Sequence, residues 1–192
     1  MPPATISKAF TKDVMPIIGP EVSKAVKDGR ERACKLVAER LAIHGFNRGK
    51  RLLFSRRREH TLDVIALESF DRAAINYRVS FDVSFAIRVL NDETSSLSLN
   101  GPRSDVSLIR AGRYHMSFNS QTDHMLDRCI EDILRFIADY GLPWFERHAD
   151  CKSLISSDSP ISADAQSCLD RSIAGLALPS ASLTTAKLLG LK

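Results

Sequence analysis

Between Arg48 and Arg58 the chain places Arg48, Lys50, Arg51, Arg56, Arg57 and Arg58 with no acid among them. Guanidinium groups grip carboxylates and phosphates through paired N–H donors, so the chemistry of such a run is anion capture. The net charge of the chain is +4, so these six leave the remainder slightly acidic, and the basic pI of about 9.0 is a local property. A second candidate is His115 with Asp82, an acid–base pair of the kind a hydrolase uses. Its supporting motifs are missing: there is no Gly-rich phosphate loop, no Gly-x-Ser-x-Gly elbow and no His-Glu-x-x-His. Glu68 is followed by Ser69-Phe70 and Asp82 by Val83-Ser84, so the lysine that a metal-dependent nuclease sets beside its acids is absent. His148 and Cys151 form an i, i+3 pair without a second pair at ligand spacing, so neither a metal nor another cofactor is expected.

These groups need elements to position them. From Tyr77 to Val89, apolar Tyr77, Val79, Phe81, Val83, Phe85, Ile87 and Val89 alternate with Arg78, Ser80, Asp82, Ser84, Ala86 and Arg88. A period of two predicts an antiparallel strand with one face on a core. Thirteen residues at about 3.3 Å each span roughly 43 Å, which calls for a bend, a bulge or an overhang. Further strands are predicted at Arg51–Arg58, with Leu52 and Phe54 inward, at Thr61–Phe70, which is apolar on both sides, and at 105–110 and 112–119. Helical spacing of apolar residues marks 21–44, with a break at Asp28-Gly29, and a second helix capped by Thr122 or Asp123 and stopped by Gly141 and Pro143. Trp144-Phe145 then folds back as an aromatic plug. The expected class is α+β: an antiparallel meander of four to five strands with helices packed on one face.

Residues 1–20, rich in proline, read as a flexible lead-in, 21–155 as a single domain, and 156–192 as a linker with a loosely attached tail. Within that tail Leu169, Ile173, Leu176 and Leu178 are spaced to form a docking helix. No run reaches the roughly 20 apolar residues that span a bilayer, and the first ten residues lack a secretory pattern, so a cytoplasmic protein without membrane contact is expected. Four scattered cysteines suit reduced thiols, with Cys34 and Cys129 as core packing.

Leu41-Ala42-Ile43-His44-Gly45-Phe46, Phe81-Asp82-Val83 and Ile133 through Tyr140-Gly141-Leu142-Pro143-Trp144-Phe145 are similar to a bacterial family known as domain of unknown function 4304. The resemblance covers about residues 25–155. It implies an α+β domain of bacterial type and carries no activity, cofactor or catalytic residue; Gly45, Phe46, Trp144 and Phe145 match as structural positions.

Parity turns the sheet into a functional expectation. With Leu52 and Phe54 inward, Arg51, Arg57, Arg78, Arg88, Arg113 and His115 share the opposite face. An arginine-rich open face suits a non-enzymatic module that binds a partner protein by charge complementarity. The alternative is non-specific binding of nucleic acid or another anionic ligand through residues 48–58. Stacking readers are disfavoured, because Tyr77, Phe81, Phe85, Tyr114 and Phe118 point inward by period. A hydrolase built on His115 and Asp82 requires a concave pocket on that face.

Overall fold

The computed structural model describes residues 19–50, 52–69, 75–105, 108, 111–176 and 178–191. Five antiparallel strands, β1 (Asn47–Arg48), β2 (Leu53–Arg57), β3 (Thr61–Ser69), β4 (Arg78–Val89) and β5 (Ser117–Asn119), lie side by side in chain order. The fold is α+β. The length of β4 is resolved by an overhang: its first three residues pair with β5, and Phe81 to Val89 pair with β3. Beyond that overhang the free edge is covered. Asn100 closes two hydrogen bonds with the Ile87 backbone, at 2.9 and 3.0 Å, standing in for a neighbouring strand. Gly101, Pro102 and Ser104 continue the pairing to Phe85 and Val83, which shields the edge from pairing with another chain.

The inward residues of β4 meet α1 (Pro20–Leu41) and α2 (Leu126–Phe136) in one cluster that includes Val37, Leu41, Phe81, Phe85, Ile133 and Phe136. Each such side chain contributes about 1.5–3 kcal/mol before chain entropy is set against it. Cys34 and Cys129 are fully buried here, and desolvation pushes their thiols up to about 11 and about 12, so both serve as apolar packing. Helix α1 runs through Asp28-Gly29 without the expected break. Gly29 is there for contact: a Cβ on it would stand 2.5 Å from Ser120 Cβ, so the missing side chain lets α1 lie against the end of β5.

The second helix also continues past its expected stop. Neither Thr122 nor Asp123 caps it; Met125 in a left-handed conformation precedes it. After Phe136 a π turn (Ile137–Gly141) leads directly into α3 (Leu142–Arg147), with Pro143 in the first turn of α3. Proline lacks an N–H and crowds the carbonyl four residues back, here Asp139. The widened turn lies where that conflict falls. Gly141 is helical, not left-handed, and a Cβ there would sit 2.5 Å from the Phe85 ring. Phe145 is fully buried against Phe46 and Phe85, at centroid distances of 5.8 and 5.7 Å, so the plug forms as expected.

The segment after Ser156, expected as a loose tail, is packed along much of its length. Following α4 (Cys151–Ile155), helix α5 (Ala163–Ile173) puts Ala165, Cys168 and Leu169 into the main cluster. Helix α6 (Pro179–Leu189) lies on the outer face of the sheet, where Leu189 joins Leu62, Val64 and Ala86. The lead-in up to residue 18, Arg51, Phe70 and most of the segment predicted as a strand at 105–110 lie outside the described residues. Among those described, no helix is long and apolar enough to cross a membrane.

Candidate functional site

The basic run does not survive as one surface, because strand parity sends alternate residues to opposite sides of the sheet. Arg56 and Arg58 turn inward and hold Asp63, which is 1% exposed: Arg56 donates to Oδ2 at 2.9 and 2.7 Å, Arg58 to both oxygens at 3.0 and 2.9 Å. Both also reach Glu146 of α3, at 2.8 and 3.2 Å. Burial works to raise the Glu146 carboxyl, but the two arginines together bring it below its ordinary range. Arg48 is committed to Glu31 through two 2.7 Å hydrogen bonds. Of the described run, Arg57 and Lys50 stand exposed on the outer face, separated along the chain by the length of β2, and Arg51 lies outside the described residues. A continuous stripe for a nucleic-acid backbone is thus not built from the described part of this run.

The wider arginine set is dispersed as well. Arg78, at the other end of β4, is exposed and donates to Ser117 Oγ at 3.0 Å. Arg113 reaches Tyr140 beyond the sheet, at 3.3 Å. Arg88 shares the parity of an outer-face residue but is 3% exposed, and its guanidinium is not available to a partner. It donates to Thr185 Oγ1 of α6 and to the carbonyls of Asp92, Thr94 and Ser96. Its work is to fasten the 91–96 loop and α6 to β4. Arg88→Leu is expected to cost about 2 kcal/mol and, by hydrogen exchange, to strip protection from α6 before β3 or β4. Unchanged protection in α6 would contradict this assignment.

His115 and Asp82 do not form a dyad. Asp82 faces Glu68 across the β3–β4 ladder, and its carboxyl is raised by burial, with Arg103 acting against and Glu68 adding to the rise. The His115 backbone N–H donates to Asp132 Oδ2 at 2.6 Å. No hydrogen bond joins the two side chains among the described residues, and neither lines the groove described next.

The outer face carries a groove of about 1000 Å³. Leu52 and Leu53 of the β2 region, Leu97 and Leu99 of the 91–100 loop and Leu188 of α6 line it, together with Glu68, Lys50 and Lys187. The two lysines are neighbours: Lys50 Nζ donates to the Lys187 carbonyl at 2.8 Å, and the Lys50 amide donates to the Leu189 carbonyl at 2.8 Å. Close backbone approach makes this junction possible, since a Cβ on Gly49 would fall 2.2 Å from the Leu189 carbonyl oxygen. Neither lysine is ion-paired with a described acid, and Leu99 is 41% exposed. Local sequence could not reveal this groove, because its walls come from three segments far apart in the chain, around Leu53, Leu97 and Leu188. One signal was present: β3 is apolar on both faces, which requires a cover on each. No family model, curated protein or solved structure matches the chain.

Proposed function

We propose that the chain is a non-enzymatic binding module that takes an amphipathic segment of a partner protein into the outer-face groove. The observation that carries this reading is the groove itself: leucines from three separate elements converge on it, and two lysines free of acidic partners stand beside them. A helix laid into such a trough buries apolar side chains at i, i+3 or i+4 spacing and gains specificity from charge at the rim. The complementary segment therefore carries leucine-like residues on one face and aspartate or glutamate where it meets Lys50 and Lys187. Arg57, exposed on the same face of the sheet, adds to the positive field. Charge complementarity, expected from the arginines, is supplied here mainly by lysines brought together in space.

The test is selection of displayed peptides on the immobilised full chain, followed by anisotropy titration of an enriched peptide. Apolar residues at helical spacing with flanking acids are expected. Leu99→Asp combined with Lys187→Glu is expected to weaken that peptide at least tenfold while the thermal midpoint holds, because both side chains are exposed. Peptides that bind the double variant as well as the parent chain would count against the groove, and failure to enrich any peptide would overturn the reading.

A further inference from the structure

A second cavity, of about 570 Å³, shares no residue with the groove and is lined by Arg113, Tyr114, Arg135, Asp139 and Tyr140. The π turn places Asp139 and Tyr140, adjacent in sequence, on its wall together, and such turns recur at functional sites. Arg135 is already neutralised: it pairs with Asp132 at 2.8 Å, donates to the Arg113 carbonyl and lies 5.0 Å over the Tyr114 ring. The other two charges are not neutralised. Arg113 is held by the Tyr140 hydroxyl at 3.3 Å, and Asp139 accepts from the Tyr114 hydroxyl at 2.8 Å. Neither forms an ion pair with a described residue, and they do not pair with each other although both face one cavity.

A free cation and a free anion, each steadied by a tyrosine hydroxyl, complement a ligand that carries one charge of each sign. One ring adds a preference. Tyr114 is 5% exposed, with Arg135 over its face and Phe136 and Tyr140 packed against it, so it contributes its hydroxyl; Tyr140, half-buried and backed by Phe136 at 4.9 Å, is the ring that borders the cavity. An aromatic ring favours a second ring set edge-on or offset against it. We infer that this cavity binds a free aromatic α-amino acid, its carboxylate on Arg113 and its ammonium on Asp139. A carboxylate on a guanidinium gains paired hydrogen bonds, and an ammonium opposite a carboxylate gains charge-assisted ones, so loss of either charge removes a distinct contact.

The experiment is calorimetric titration of the full chain with three probes: L-phenylalanine, N-acetyl-L-phenylalanine, which keeps only the negative charge, and L-phenylalaninamide, which keeps only the positive one. L-phenylalanine is expected to saturate the protein and to bind at least tenfold more tightly than either analogue. Asp139→Asn should erase its advantage over the N-acetyl compound, and Arg113→Gln its advantage over the amide. Both side chains are exposed, so the variants keep their fold, with the thermal midpoint as control. Equal affinity for all three probes, absence of saturable binding by L-phenylalanine, or variants that retain the full discrimination would overturn the assignment.

Discussion

Asp63→Ala is expected to destabilise the protein by about 3–5 kcal/mol, because it leaves two inward-facing guanidinium groups without the carboxylate they share. Arg56, Arg58 and Asp63 join β2 to β3, and Glu146 extends the cluster to α3, so the loss is felt across the sheet and the helix that covers its end. Glu146 cannot replace Asp63, being on the solvent side with 60% of its side chain exposed. Burial raises the Asp63 carboxyl above its ordinary range, although the hydrogen bonds and charges of Arg56 and Arg58 work to lower it. The folded protein therefore holds a proton at Asp63 more readily than the unfolded chain does. The pH-dependent part of its contribution is therefore fully present below the ordinary carboxylate range and is lost as pH rises through the folded value, while the pairing with Arg56 and Arg58 that alanine removes persists above it. Asp63→Asn should remove that pH dependence and cost less than alanine, since its amide oxygen still accepts one guanidinium. Urea denaturation of the three proteins across the acid range measures both effects; an alanine variant as stable as the parent would show that the cluster is dispensable.

Phe85→Ala is expected to cost about 3–5 kcal/mol. Its ring stacks on Phe136 at 5.8 Å and 10°, meets Phe145 edge-on, and fills the space beside Gly141. Gly141→Ala introduces a methyl group 2.5 Å from that ring and should cost about 1–3 kcal/mol by overpacking. The two changes are coupled through one volume. In the double variant the alanine methyl enters the cavity left by the ring, so the combined loss should fall short of the sum by more than about 0.5 kcal/mol. Additive losses, read from denaturant midpoints at constant slope, would mean that Gly141 is kept for the backbone of the π turn and not for the ring.

Particular elements show where local pattern sufficed. Strand β4 was legible because alternation over thirteen residues admits one geometry, and its neighbours β2 and β3 followed from the placing of Leu52 and Phe54 and from apolar content on both sides of 61–70. The second helix was legible in its body and misread at its end. Gly141 and Pro143 are stop signals when only the local chain is considered, yet Gly141 answers the Phe85 ring, 56 residues away, and Pro143 opens a new helix. Helix α6 was illegible for a related reason: its buried positions Ala181, Thr185 and Leu189 include one strong apolar residue, and the partners of the last two, Arg88 for Thr185 and Leu62, Val64 and Ala86 for Leu189, lie on distant strands.

For the functional residues the division is sharper. Parity correctly separated Arg57 from Arg56 and Arg58, since side-chain direction along a strand is a local property. It could not foresee that the face it assigned to Arg88 would be closed by α6, nor that Arg113 would reach a tyrosine in a π turn. The sequence by itself determined the class of fold, the strands β2 to β4 and most of the apolar residues that must be inside, because those follow from periodicity and from the cost of leaving apolar surface in water; β1, two residues long, carried no such signal. Only the tertiary structure decided which charges remain unpaired and which leucines line a shared groove, because pairing and exposure depend on what distant segments bring to the same place.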